Sequence, residues 1–131
     1  MSDEILATIY NAMDVFVLPT MGEGFGLPII ESQACRVPAL ATDFSSCSEL
    51  VPEERCRLKL KGTLVMGPNC EQAIVDEGDI AGKLEGLYCD REAMVRLGQR
   101  CREFVKRFEW GGVCREFVKL VGEVNRPQPR F

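Results

Sequence analysis

The run Val15-Phe16-Val17-Leu18-Pro19 constrains this chain more than any other stretch. It is short, unbroken in its apolarity, rich in β-branched residues and stopped by proline. A strand with one wet face would alternate apolar and polar residues. An unbroken run belongs to a strand covered on both faces, as in a parallel sheet. Directly after it come TMGEGFG and then LPIIESQAC. The glycines allow a tight turn and close approach of a ligand to the backbone. Pro28 suits the first helical position, where its missing N–H costs nothing, and the helix should run to about Cys35. A strand, a glycine turn and a helix in that order predict an α/β fold.

The remaining pattern agrees. Residues 3–13 place Ile5, Ile9, Ala12 and Met13 on one helical face, with Asp3 and Glu4 at the positive end of the helix dipole. ALAT, 39–42, reads as a second buried strand, and DFSSCSEL as a polar loop with a short helix near 46–50. RLKLKGTLVMG, 57–67, reads as an irregular strand pair or as one strand with a leader. Residues 68–72 read as loop, and AIV as another short strand. Asp79 and Asp90 are candidate N-caps of helices bearing Ile80, Leu84 and Leu87, then Leu97, Cys101, Phe104 and Phe108. After EWGG a last helix shows Val113, Phe117, Val121 and Val124, and Trp110 reads as a helix-packing anchor. The expectation is one Rossmann-like layered domain over 1–125, with a short, mostly parallel sheet and C-terminal helices. A frayed tail is expected over 126–131.

Several function classes fall away on composition. The chain has no histidine, which removes Ser-His and Cys-His nucleophile pairs, a histidine base and histidine metal ligands. The seven cysteines are scattered and make no C-x-x-C pair, so neither a zinc site nor a disulfide framework is expected. Most of them should be small core residues. The net charge of −4 argues against nucleic acid as a partner. The basic stretch RLKLK reads as a solvated strand face. No apolar run reaches the ~20 residues of a membrane span, and MSDEIL lacks the basic opening of a signal peptide, so an intracellular, cytoplasmic protein is expected.

The informative feature is the pair of carboxylates, Glu23 and Glu31, on either side of the glycine turn. In open parallel sheets ligands bind beyond the carboxyl ends of the strands. Amides near Gly26 and Leu27, backed by a helix dipole, suit a phosphate. A carboxylate would repel that phosphate, but it accepts hydrogen bonds from hydroxyl pairs. The pattern therefore fits a ligand with an anionic middle and hydroxyl-rich ends, such as a nucleotide diphosphate sugar. It also fits an ordinary glycine turn with a glutamate answering the helix dipole in the first turn.

The run LATIYNAMDVFVLPTMGEGFGLPIIESQACRVPALATDFSSCSELV resembles the retaining, GT-B-fold glycosyltransferases of group 1. The signature is glutamate, seven residues, glutamate, here Glu23 to Glu31 with GFGLP inside. DIAGKLEGLYCDREAMVRLGQRCREFVKRFEW is similar to that family's closing helices, with Phe108 and Trp110 as its aromatic pair. The resemblance implies that Glu31 binds the ribose hydroxyls of the donor nucleotide. Glu23 would be the catalytic position, close to the reacting carbon of the donor sugar. The backbone at Gly24, Phe25, Gly26 and Leu27 would hold sugar hydroxyls and diphosphate. The transfer it implies uses no metal and no cofactor.

The resemblance covers the later half of the family's second domain. The acceptor-binding domain, the basic Arg and Lys pair and the histidine of the family's earlier parts have no counterpart here. Arg36 stands where the family has glycine at the helix end, which predicts a strained left-handed residue. Ser48 replaces a common proline. The exposed edge of the VFVLP strand and the apolar last helix predict a homodimer or higher oligomer, and a separately encoded partner could supply the acceptor domain. An interaction or regulatory module without catalysis, and a non-catalytic nucleotide- or phosphosugar-binding protein, remain open as alternatives.

Overall fold

The computed structural model describes residues 1–67 and 69–124, with the side chain of Val124 and all of 125–131 outside the described residues. The expected frayed tail therefore lies outside them too. In chain order the elements are α1 (Asp3–Asn11), β1 (Phe16–Leu18), α2 (Leu27–Ala34), β2 (Ala39–Thr42) and α3 (Cys47–Leu50). After a 3₁₀ turn come β3 (Arg57–Leu58), β4 (Leu60–Met66), β5 (Cys70–Val75), α4 (Glu77–Cys89), α5 (Arg91–Val105) and, past a second 3₁₀ turn, α6 (Trp110–Val124).

The first three strands form a parallel sheet in the order β1-β2-β3, with Val17 opposite Leu40 and Thr42 opposite Leu58. This is the α/β architecture with a short parallel sheet that the strand-turn-helix pattern predicts. The central strand, β2, is buried along its whole length. β1 is only half-buried, contrary to the expectation of cover on both faces, because it stands at the sheet edge. The ambiguous stretch 57–67 resolves into the short β3 and the longer β4, which leaves the sheet and pairs with β5 as an antiparallel hairpin. β5 begins at Cys70, inside the stretch read as loop.

The core gathers Ile29, Leu40, Leu58, Leu97 and Cys101 from α2, β2, β3 and α5, together with Val51 just past α3. Burying a side chain such as Ile29 contributes about 1.5–3 kcal/mol. Asp90 caps α5 as expected, accepting from the Ala93 N–H at 2.8 Å. The cap of α4 is Asp76 rather than Asp79; it accepts from Gly78 and Asp79 N–H groups. Asp79 sits inside the first turn, where it accepts from the Lys59 N–H and pairs with Lys83. Burial opposes its ionisation, but those two partners hold its carboxyl below the usual range.

Three apolar expectations need correction. Ile5 and Ile9 of α1, and Met13 just past its end, are exposed, and Tyr10 is the residue that buries. Along α6, Val113, Phe117 and Val121 are exposed, in line with the expectation that this face lacks its usual cover, but Trp110 is 81% exposed rather than a packing anchor. Its two glycines also lie within the helix, which starts at Trp110. Only Cys47, Cys56 and Cys101 are buried; Cys70, Cys89 and Cys114 are exposed. Periodicity identifies an apolar stripe, but it does not supply the surface that covers the stripe.

Arg36 has φ 64°, the left-handed conformation expected from its place at the helix end. Its carbonyl presses directly on Gly98 of α5, so this strained turn is where α2 and α5 meet.

Candidate functional site

β1 ends at Leu18, and the chain then turns through residues 20–26 into α2. Of the three glycines in this turn only Gly26 needs to be glycine. Its φ is 98°, and a Cβ there would meet Ile29 Cδ1 at 3.1 Å and Leu50 Cδ1 at 3.3 Å. Gly24 has open space around it, and Gly22 only an ordinary contact with Phe44. Gly26 is the N-cap, so Leu27 is the first helical residue and Pro28 the second, one position later than expected. Glu31 accordingly sits in the second turn of α2 rather than the first. That removes the helix dipole as a sufficient reason for its presence, since the effect falls off within the first turn.

The turn is clamped by the loop after β2. The Glu23 N–H donates to Ser45 Oγ at 3.0 Å, and Ser46 Oγ donates to the Glu23 carbonyl at 3.1 Å. Thr42 Oγ1 donates to the Thr20 carbonyl at 2.7 Å. The Ala73 N–H of the hairpin donates to the Met21 carbonyl at 2.8 Å. Phe25 packs edge-on against Phe108 at 6.2 Å between ring centres, tying the turn to the segment after α5. Neighbouring donors are thus engaged, yet among the described residues the N–H groups of Gly24, Phe25, Gly26 and Leu27 have no acceptor. A buried donor without a partner is uncommon, and of these four residues only Gly26 is buried; the other three N–H groups are open to water or a ligand.

Both carboxylates are half-buried and neither forms an ion pair among the described residues. Burial pushes the Cys47 thiol up, and the Glu23 charge adds to that rise, which sets the carboxylate beside the start of α3. Glu31 Oε2 accepts from the Tyr10 hydroxyl at 2.9 Å. Burial first, then that hydrogen bond and the Glu31 charge, push the Tyr10 phenol up to about 12. With Tyr88 replaced by phenylalanine, ultraviolet titration should show Tyr10 ionising at about 12, and Glu31→Gln should bring it down. An unchanged midpoint would mean the two side chains do not meet in solution.

Sequence reasoning did not single out Tyr10. It lies 21 positions before Glu31, and its one local signal is that it is the only aromatic residue of the helix DEILATIYN. A broad groove of about 1120 Å³ lies elsewhere, lined by Arg36, Arg96, Arg100, Arg102 and Lys106. Its cations are largely spoken for: Arg100 by Glu53, Arg96 by Glu92, Lys106 by Glu103, and Arg102 by the Ala34 carbonyl. Among the described residues no group of three or more metal-ligating side chains converges, and no helix is long and apolar enough to cross a membrane.

A parallel sheet with a clamped glycine turn leading into a helix defines an α/β protein, a class in which ligands bind beyond the carboxyl ends of the strands. Residues 1–82 match the family model of the glycosyl transferases of group 1, and the chain belongs to that family. It is similar to D-inositol 3-phosphate glycosyltransferase 2 of Catenulispora acidiphila, 34% identical over 80% of this chain and 22% of that protein. It is likewise 33% identical to D-inositol 3-phosphate glycosyltransferase of Streptomyces bingchenggensis, over 96% of this chain and 25% of that protein. The chain thus spans about a quarter of the length of these curated relatives.

Proposed function

We infer that this chain is the donor-binding part of a retaining glycosyltransferase that uses a nucleotide diphosphate sugar. One observation carries the reading: among the described residues, the four consecutive amides of Gly24 to Leu27 are unengaged and lie between two carboxylates that no cation neutralises. In this reading the amides take the diphosphate, with the positive end of α2 behind them. Glu31 takes the ribose hydroxyls, and Glu23 faces the donor sugar near the carbon that is transferred. Negative charge grows on the leaving diphosphate as the glycosidic bond breaks. Fixed N–H groups aimed there stabilise the transition state without having to reorganise.

Calorimetry with UDP, GDP, ADP and their hexose derivatives tests the proposal. At least one is expected to bind; a chain indifferent to all of them would sink it and favour a module without catalysis.

The acceptor side is assigned to a partner or to sequence beyond these 131 residues. The unpaired edge of β1 and the exposed apolar residues of α6 support association, either with a second copy or with that partner. Phe117, Val118 and Leu120 are each more than 60% exposed, which is costly for a chain alone in water. Light scattering of the purified chain at micromolar concentration should give a dimer mass. A clean monomer would leave these surfaces to a different chain.

A further inference from the structure

Tyr10 connects the rigid part of the fold to one acid of the candidate site. It is 6% exposed, the one buried residue of α1. Its ring stands edge-on to Phe16 of β1, with centres 5.9 Å apart and planes at 77°. Its hydroxyl donates to Glu31 Oε2 at 2.9 Å. No other donor among the described residues reaches the Glu31 carboxylate, so Oε1 is left free. An ionised carboxylate offers about four acceptor sites across its two oxygens.

We propose that Tyr10 is a positioning residue, which holds Glu31 in the one rotamer that turns its free oxygen toward the paired hydroxyls of a ribose. The proposal rests on the donor-binding reading given above and adds to it the group that makes Glu31 competent. A glutamate on a helix surface samples many rotamers, and freezing it on binding costs up to ~2 kcal/mol of side-chain entropy. Here the order exists beforehand, because β1 fixes Phe16, Phe16 fixes the Tyr10 ring, and the phenol fixes the carboxylate. Pre-ordering of this kind raises affinity by lowering the cost of binding rather than by adding a contact.

Tyr10→Phe is the test, since it keeps the ring and its contact with Phe16 and removes only the hydroxyl. Whichever of UDP, GDP and ADP binds the unaltered chain is compared by calorimetry with its 2′,3′-dideoxy counterpart. Tyr10→Phe is expected to weaken the ribonucleotide about tenfold and to leave the dideoxy ligand unchanged. In a Glu31→Gln background the same substitution should have no further effect. A ribonucleotide bound as tightly by Tyr10→Phe as by the unaltered chain overturns the positioning role alone. An equal loss on both ligands does the same, because it marks a general packing defect. An unaltered chain that does not distinguish ribose from dideoxyribose overturns the reading of Glu31 as well.

Discussion

Gly98→Ala should lower the stability of this protein by about 2–4 kcal/mol, although alanine is the better helix former. In the middle of α5 the change from glycine would ordinarily gain about 0.8–1 kcal/mol. At position 98 the new Cβ would fall 2.1 Å from the Arg36 carbonyl oxygen. Real Cβ atoms do not approach that closely, so α5 must move away from the end of α2. The carbonyl cannot swing aside cheaply either, because Arg36 is already held at φ 64°. Overpacking a tight contact costs ~1–3 kcal/mol and sometimes more, which outweighs the propensity gain. Thermal unfolding should show a drop on the order of 10 °C. Gly86→Ala in α4, where nothing lies within 4 Å, is the control and should stabilise by about 0.5–1 kcal/mol. Equal effects at the two positions would mean that α2 and α5 do not pack as described.

The second large effect concerns binding. Glu31→Ala is expected to weaken nucleotide binding by at least about 100-fold. Two hydroxyls donating to one carboxylate are charge-assisted hydrogen bonds, and such bonds are worth about 1.5–3 kcal/mol each. The substitution also leaves the buried Tyr10 hydroxyl without its acceptor, a cost of about 1–3 kcal/mol to folding. Glu31→Gln separates the two contributions, since its amide oxygen still accepts from Tyr10 while the charge is gone. It should fold like the unaltered chain and still bind poorly. Calorimetry and thermal unfolding on both variants decide the matter: full affinity in a folded Glu31→Gln would remove Glu31 from the site.

Much of the scaffold around these residues is legible in the sequence. The unbroken apolar run announced β1, the ALAT run announced β2, and the glycine turn between β1 and α2 was placed within one residue. Asp90 was recognisable as a cap because its partner, the Ala93 N–H, is three residues away. The Asp76 cap was missed in favour of Asp79, since both acids stand before the same apolar stripe and only the backbone path chooses between them. The hairpin of β4 and β5 was half seen, because its strands draw on weakly patterned residues and one of them starts in what reads as a loop.

What the sequence by itself determined was therefore local. It fixed the period of each stripe, the residues that cap or break a helix, the two acids flanking a glycine turn, and the left-handed stop at Arg36. What only the tertiary structure decided was which of these meet. Glu31 finds Tyr10 across 21 positions, and Gly98 receives the Arg36 carbonyl across a far longer loop. The apolar stripe of α1 and the Trp110 ring look like packing surfaces and lie in the open. The physical reason is range. Periodicity, capping and turn chemistry act over about four residues of chain, whereas burial and side-chain pairing depend on how whole elements stack.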